Sequence, residues 1–217
     1  MTTQTSRELV DSILRTAPVI PVLTIRRIED AVPLAEALVE GGLAVLEITL
    51  RSEIATQAIR LIRESVPRAI AGAGTILDAK DLAAAREAGA VFGVSPGLTP
   101  ELAAAVTASG MPFLPGVATA SEIMNARALG FRHLKFFPAE AMGGRAALGG
   151  FGGPFRDVLF CPTGGIREDT LAAYLKLPNV LCAGGSWMAP DDDIASGAWS
   201  AITERARRVS QARASRQ

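Results

Sequence analysis

Val45-Leu46-Glu47-Ile48-Thr49-Leu50-Arg51 alternates strictly: as an extended strand it places Val45, Glu47, Thr49 and Arg51 on one face and Leu46, Ile48 and Leu50 on the other. The segment lies between two Ala/Glu/Arg-rich stretches of helical period, Ile28–Glu40 and Ile54–Ser65. The apolar face should meet those helices, which turns Glu47 toward the interior of whatever the strand builds. The arrangement recurs along the chain. Strand candidates are Val19–Leu23, Val45–Thr49, Ala69–Ala73, Val91–Val94, Phe113–Pro115, His133–Phe136, Val158–Cys161 and Val180–Ala183. Further helices are expected near Ala79–Ala88, Pro100–Ser109, Ala120–Leu129 and Asp169–Lys176, with Arg7–Thr16 before the first strand and Ala198–Ala212 at the end. Strands separated by helices imply a parallel sheet covered by helices. Eight of them in one α/β domain favour closure into a (β/α)8 TIM barrel over an open doubly wound sheet.

With 217 residues and no internal repeat or linker, the chain reads as one domain. Its expected parts are an extra N-terminal helix (1–17), the barrel core (18–190) and a C-terminal helix (191–217). The sixth connection is the irregular one. Gly143, Gly144, Gly149, Gly150, Gly152 and Gly153 crowd it, so any helix there is expected to be short and the segment to act as a mobile lid or a plain flexible loop.

Composition narrows the function. Basic and acidic residues balance at 22 each, which supplies no general field for nucleic acid or an anionic membrane. The terminal arginines (Arg205, Arg207, Arg208, Arg213, Arg216) read as the wet face of a helix. Met1–Arg7 is polar and no apolar run approaches the roughly 20 residues of a membrane span, so a cytoplasmic location is the default. A single histidine, His133, and two cysteines, Cys161 and Cys182, read as packing residues and leave few ligands for a metal. No metal or other cofactor is expected, and no nucleophile elbow accompanies His133.

Polar residues and glycines gather after the strands and not before them. The ends read Gly72-Ala73-Gly74-Thr75, Ser95-Pro96-Gly97, Pro115-Gly116-Val117, Pro162-Thr163-Gly164-Gly165 and Gly184-Gly185-Ser186. Barrel enzymes carry their sites at that end. Lys135, one of three lysines, lies within Leu134-Lys135-Phe136-Phe137. If Leu134 and Phe136 face the helices, Lys135 points into the barrel, where loss of hydration favours a free amine nucleophile. The competing reading is an edge-strand lysine snorkelling to water. Glu47, also inward, needs a partner, either Arg51 or Lys135. Strands two and six are both even, so Glu47 and Lys135 can share a layer of the interior. An amine beside a carboxylate suits Schiff-base chemistry, with the carboxyl group shuttling protons. Arg51 offers a two-pronged donor for a substrate carboxylate, and Thr75 a further hydrogen bond. The glycine pairs Gly164-Gly165 and Gly184-Gly185 occupy the usual phosphate position of barrels.

Together with Ser95-Pro96-Gly97-Leu98-Thr99, Lys135-Phe136-Phe137-Pro138-Ala139-Glu140 and Gly184-Gly185-Ser186-Trp187, these motifs closely resemble the 2-keto-3-deoxy-6-phosphogluconate (KDPG) aldolases from about Pro18 to Trp187. The resemblance implies a homotrimeric class I aldolase of the Entner–Doudoroff pathway that cleaves a small phosphorylated keto acid, and often 4-hydroxy-2-oxoglutarate as well. It implies Lys135 as Schiff-base nucleophile, Glu47 as acid/base, and Arg51 with Thr75 on the pyruvate carboxylate. Thr163 would line the pyruvyl pocket, and Gly164, Gly165, Gly185 and Ser186 would bind phosphate. Ser52 stands where threonine is commoner, and the Met142 segment departs from the usual connection. The epimeric galactonate-derived substrate, a sugar-phosphate isomerase or synthase, and a non-catalytic binding barrel are the other readings.

Overall fold

A computed structural model describes residues 3–212. The elements run α1 (Thr3–Arg15), β1 (Val19–Leu23), α2 (Ala31–Glu40), β2 (Val45–Thr49), α3 (Ala55–Ser65), β3 (Ile70–Gly74), α4 (Ala79–Glu87), β4 (Gly93–Val94), α5 (Pro100–Ser109), β5 (Phe113–Leu114), β6 (Gly116–Val117), α6 (Ala120–Ala128), β7 (His133–Phe136), α7 (Gly144–Gly152), β8 (Leu159–Pro162), α8 (Glu168–Leu175), β9 (Ala183–Gly185), α9 (Asp191–Ala195) and α10 (Trp199–Ser210). The helices begin where the sequence offers acceptors for their first amides. Asp78 receives the Lys80 and Asp81 amides at 2.8 Å each, and Thr119 forms a capping box with Glu122.

This is an α/β fold with a curled parallel sheet. Six strands follow the order β5-β4-β3-β2-β1-β9 and three follow β6-β7-β8, all parallel. Only Pro115, which cannot donate, separates β5 from β6, and its carbonyl accepts the Lys135 amide at 2.9 Å. Isolated bridges, Phe160 to Val180 and Thr163 to Gly184, join β8 to the segment around β9.

The apolar residues form two clusters, one on each side of the curled sheet. Leu46, Ile48, Leu134, Phe136 and Phe160 pack outward with the helices, as the alternation requires. Ile20, Val45, Phe92, Val94, Leu114 and Cys161 pack inward together with Val10, Ile13 and Leu14 of α1. Helix α1 thereby stoppers the amino-terminal end of the interior. Ser6 donates to the Gly110 carbonyl at 2.8 Å, and buried His133 meets Asp11 at 2.9 Å. His133 is therefore more than the packing residue expected from sequence.

Several expectations need correction. The segment 143–153 is no plain loop but contains a short helix, the nine-residue α7. Its two internal glycines, Gly149 and Gly150, cost about 1 kcal/mol each relative to alanine. Burial of Leu148, contact of Phe151 with Phe136, Phe155 and Phe160, and the Asn179 hydrogen bond to the Leu148 carbonyl (2.8 Å) oppose that cost. Apolar burial contributes roughly 2–3 kcal/mol per large side chain, which is enough to hold the helix. The last strand begins at Ala183 rather than Val180, because Val180 bridges Phe160 while Ala183 is the first residue to pair with Val19. The expected 191–217 helix is two helices, α9 and α10. Arg213 and Arg216 lie outside the described residues. Among those residues no helix is long and apolar enough to cross a membrane.

Burial holds the His133 imidazole below its ordinary value of 6.5, outweighing the opposite pull of Asp11. Folding thus opposes protonation, so the stability from neutral His133 is present above that value and is lost as pH falls below it. Asp11 is held below 3.8, chiefly by its hydrogen bond from Arg15, so it does not titrate in the same window. Thermal denaturation between about pH 7.5 and about 5.5, which brackets the ordinary histidine value, should show a melting temperature falling by a few degrees. The His133→Asn variant should show a flatter profile.

Candidate active site

Glu47 on β2 and Lys135 on β7 belong to strands that share no ladder, yet they meet across the interior. The Lys135 ammonium donates to Glu47 Oε1 at 3.0 Å, with side chains 5% and 4% exposed. Of the two partners open to Glu47, the fold selects Lys135. Gly74, opposite Thr49 in the β2–β3 register, makes room for the contact: a Cβ at Gly74 would lie 2.3 Å from Glu47 Oε1. The Lys135 nitrogen also stands 5.3 Å from the Phe137 ring centroid.

Arg51, exposed just beyond β2, donates from Nε to Thr75 Oγ1 at 3.1 Å. Thr75 adopts φ 61°, a left-handed conformation that costs a β-branched residue about 1–3 kcal/mol. Backbone bonds on either side, Leu50 N to Gly74 O (2.8 Å) and Ile76 N to Val94 O (3.1 Å), hold it there. Thr163 is buried, and Gly184 is tailored to it, since a Cβ there would fall 2.3 Å from Thr163 Oγ1. Gly164 (φ 104°) and Gly165 (φ 80°) turn in the region that glycine enters without penalty.

These residues open onto a cavity of about 270 Å³ whose walls include Arg51, Lys135, Thr163, Gly165, Gly185 and Ser186. Gly164 lines it too. Glu47 and Thr75 adjoin these walls, bonded to Lys135 and Arg51 respectively. Three further wall residues, Thr24, Arg26 and Asp191, escaped the sequence reading. Thr24 is hydrogen-bonded to Thr49 at 2.8 Å, and Arg26 lies 3.8 Å from Asp191. Thr24 and Arg26 follow the first strand, so extending the strand-end inspection to β1 would have found them. A cavity of similar volume beside α1 is lined by apolar groups such as Val10, Val106 and Phe113 and offers no comparable nucleophile.

The family model described as KDPG and KHG aldolase matches residues 10–205. The chain belongs to this family. It is 52% identical over 192 residues to the 2-dehydro-3-deoxy-phosphogluconate aldolase of Pseudoalteromonas atlantica, covering 88% of this chain and 89% of that protein. The KDPG aldolase of Legionella pneumophila, with pyruvate captured as a covalent carbinolamine intermediate, superposes with a TM-score of 0.91 at 46% identity, covering 93% and 98% of the two chains. The Zymomonas mobilis KDPG aldolase with 3-phosphoglycerate gives 0.89 at 49% identity, covering 94% and 96%.

Gly74 supplies a direct test of the geometry. Gly74→Ala should push the Glu47 carboxylate away from Lys135; with Glu47 as the acid/base that the resemblance implies, kcat for aldol cleavage should fall by roughly 10-fold or more, part of the 10²–10⁴-fold that acid–base catalysis contributes. Circular dichroism should show the fold retained.

Proposed function

We propose that this chain is a class I aldolase that cleaves KDPG to pyruvate and glyceraldehyde 3-phosphate, with Lys135 as the Schiff-base nucleophile. The observation that carries the reading is the buried 3.0 Å contact between Lys135 and Glu47 at the floor of a cavity walled by Arg51 and glycine turns. A free amine forms when the proton passes from Lys135 to the Glu47 carboxylate. The amine attacks the C2 ketone, and the carbinolamine loses its hydroxyl as water with a proton from Glu47. The carboxylate then accepts the C4 hydroxyl proton while the C3–C4 bond breaks. Its electrons flow into the iminium to give an enamine, and the aldehyde leaves. Protonation at C3 and hydrolysis release pyruvate and restore the amine.

In this reading Arg51 and Thr75 hold the pyruvate carboxylate, Thr163 lines the pyruvyl pocket, and Gly164, Gly165, Gly185 and Ser186 receive the phosphate. The relative named for the gluconate substrate favours that epimer over the galactonate one. The family description favours 4-hydroxy-2-oxoglutarate as a second substrate. We further take the two sheets as a single closed (β/α)8 barrel in one domain, a reading supported by the bridges beside β8 and by the Pro115 carbonyl bond. The cytoplasmic location and the homotrimer carry over as proposals. Met124 and Leu129, 61% and 51% exposed, offer apolar surface that an interface would bury. Sedimentation should then give three chains per particle.

Borohydride reduction in the presence of pyruvate should add one three-carbon adduct per chain, on the peptide containing Lys135. An adduct on Lys80 or Lys176, or none, would refute the assignment and favour an isomerase, a synthase or a binding barrel. Glu47→Gln should lower kcat by roughly 10²-fold or more while changing KM much less, because the carboxylate and phosphate contacts remain.

A further inference from the structure

Glu140, the last residue of the Lys135–Glu140 motif, has no part in the chemistry above, yet the structure builds three elements around it. Its Oε1 accepts a 2.5 Å hydrogen bond from the hydroxyl of Tyr174 on α8, a side chain that is fully buried. Burial, with the Glu140 carboxylate, pushes the Tyr174 hydroxyl above its ordinary range and keeps it a donor. Two glycines leave the room this pair occupies. A Cβ at Gly165 would lie 2.7 Å from Glu140 Cβ and 2.8 Å from Cγ, and a Cβ at Gly144 would lie 2.8 Å from the Tyr174 hydroxyl. The backbone repeats the connection: Ala139 N donates to Thr163 O at 2.8 Å and Glu140 N to Gly164 O at 3.0 Å.

Gly164 and Gly165 both adopt positive φ, a conformation glycine enters easily and leaves as easily. A turn made of such residues takes its position from what it rests on. Here it rests on the Glu140 side chain, which is fixed in turn by Tyr174. The geometry points to Glu140 and Tyr174 as a positioning pair that sets the Gly164–Gly165 turn for gripping the substrate phosphate. This inference rests on the reading that the phosphate binds at that turn. A tie that merely docked α8 would affect folding and every catalytic step alike, whereas a positioning pair acts on the phosphorylated end of the substrate.

The test compares KM and kcat for KDPG with the exchange of pyruvate methyl protons followed by NMR, which needs no phosphate contact. Tyr174→Phe keeps the ring and deletes the donor, and Glu140→Ala deletes the acceptor. Each should raise KM for KDPG by roughly 10-fold or more, the scale of one hydrogen bond to a charged group, with kcat within about twofold and exchange unchanged. Glu140→Gln retains an acceptor oxygen and should restore KM to within about twofold of wild type. Unchanged KM in both deletion variants, a parallel loss of exchange, or a Glu140→Gln variant as impaired as Glu140→Ala would overturn the proposal. If Tyr174→Phe does not fold, the two Glu140 variants decide the matter. Competitive inhibition by inorganic phosphate separates this inference from the reading beneath it. Inhibition that survives Ser186→Asp means that the phosphate binds elsewhere. Inhibition lost in Ser186→Asp but intact in Tyr174→Phe and Glu140→Ala means that the phosphate reading holds and the positioning pair is wrong.

Discussion

An ammonium and a carboxylate taken out of water together constrain everything around them. Lys135 and Glu47 are almost wholly buried and 3.0 Å apart. Removing either partner alone would leave an uncompensated charge, a loss on the order of 3–5 kcal/mol. The sheet must curl far enough to bring β2 opposite β7, since no ladder joins them. Their neighbours on the same strands, Leu46, Ile48, Leu134 and Phe136, must then take up the outward packing. The pair is a poor contributor to stability compared with apolar side chains of the same volume.

Glycine makes this placement possible. Gly74 yields its side-chain volume to the Glu47 carboxylate, Gly184 to the Thr163 hydroxyl, and Gly165 to Glu140. In each case a residue with no side chain sits beside a polar side chain that a Cβ would displace, so the glycines mould the pocket. Thr75 behaves oppositely. It accepts a left-handed backbone in spite of its branched side chain, and its hydroxyl meets Arg51.

The inward set Val45–Glu47–Thr49, the outward pair Leu134 and Phe136, and the clustering of polar residues after the strands were legible because period-two alternation is a local property of the chain. Lys135 was legible as a candidate partner of Glu47 because both are inward charges in an apolar interior, but only the fold decides between it and Arg51. Helix α7 was not legible, since its glycines argue against a helix and only the Phe151 contacts, made by residues distant in sequence, reverse the balance. The partition of 191–212 into α9 and α10 and the His133–Asp11 contact also depend on tertiary neighbours. Arg26 and Asp191 illustrate the same limit, being brought together at the cavity mouth from the two ends of the chain.

Helix α1 fills the amino-terminal end of the interior with Val10, Ile13 and Leu14. In the closed barrel proposed above, that stopper would leave one way in, on the side walled by Arg51 and Ser186. Substrate, departing aldehyde, the water that hydrolyses the last covalent species and the released pyruvate would then share one doorway. On the reading proposed for Lys135, the aldehyde must clear that opening before the pyruvyl fragment, the one held covalently, can follow.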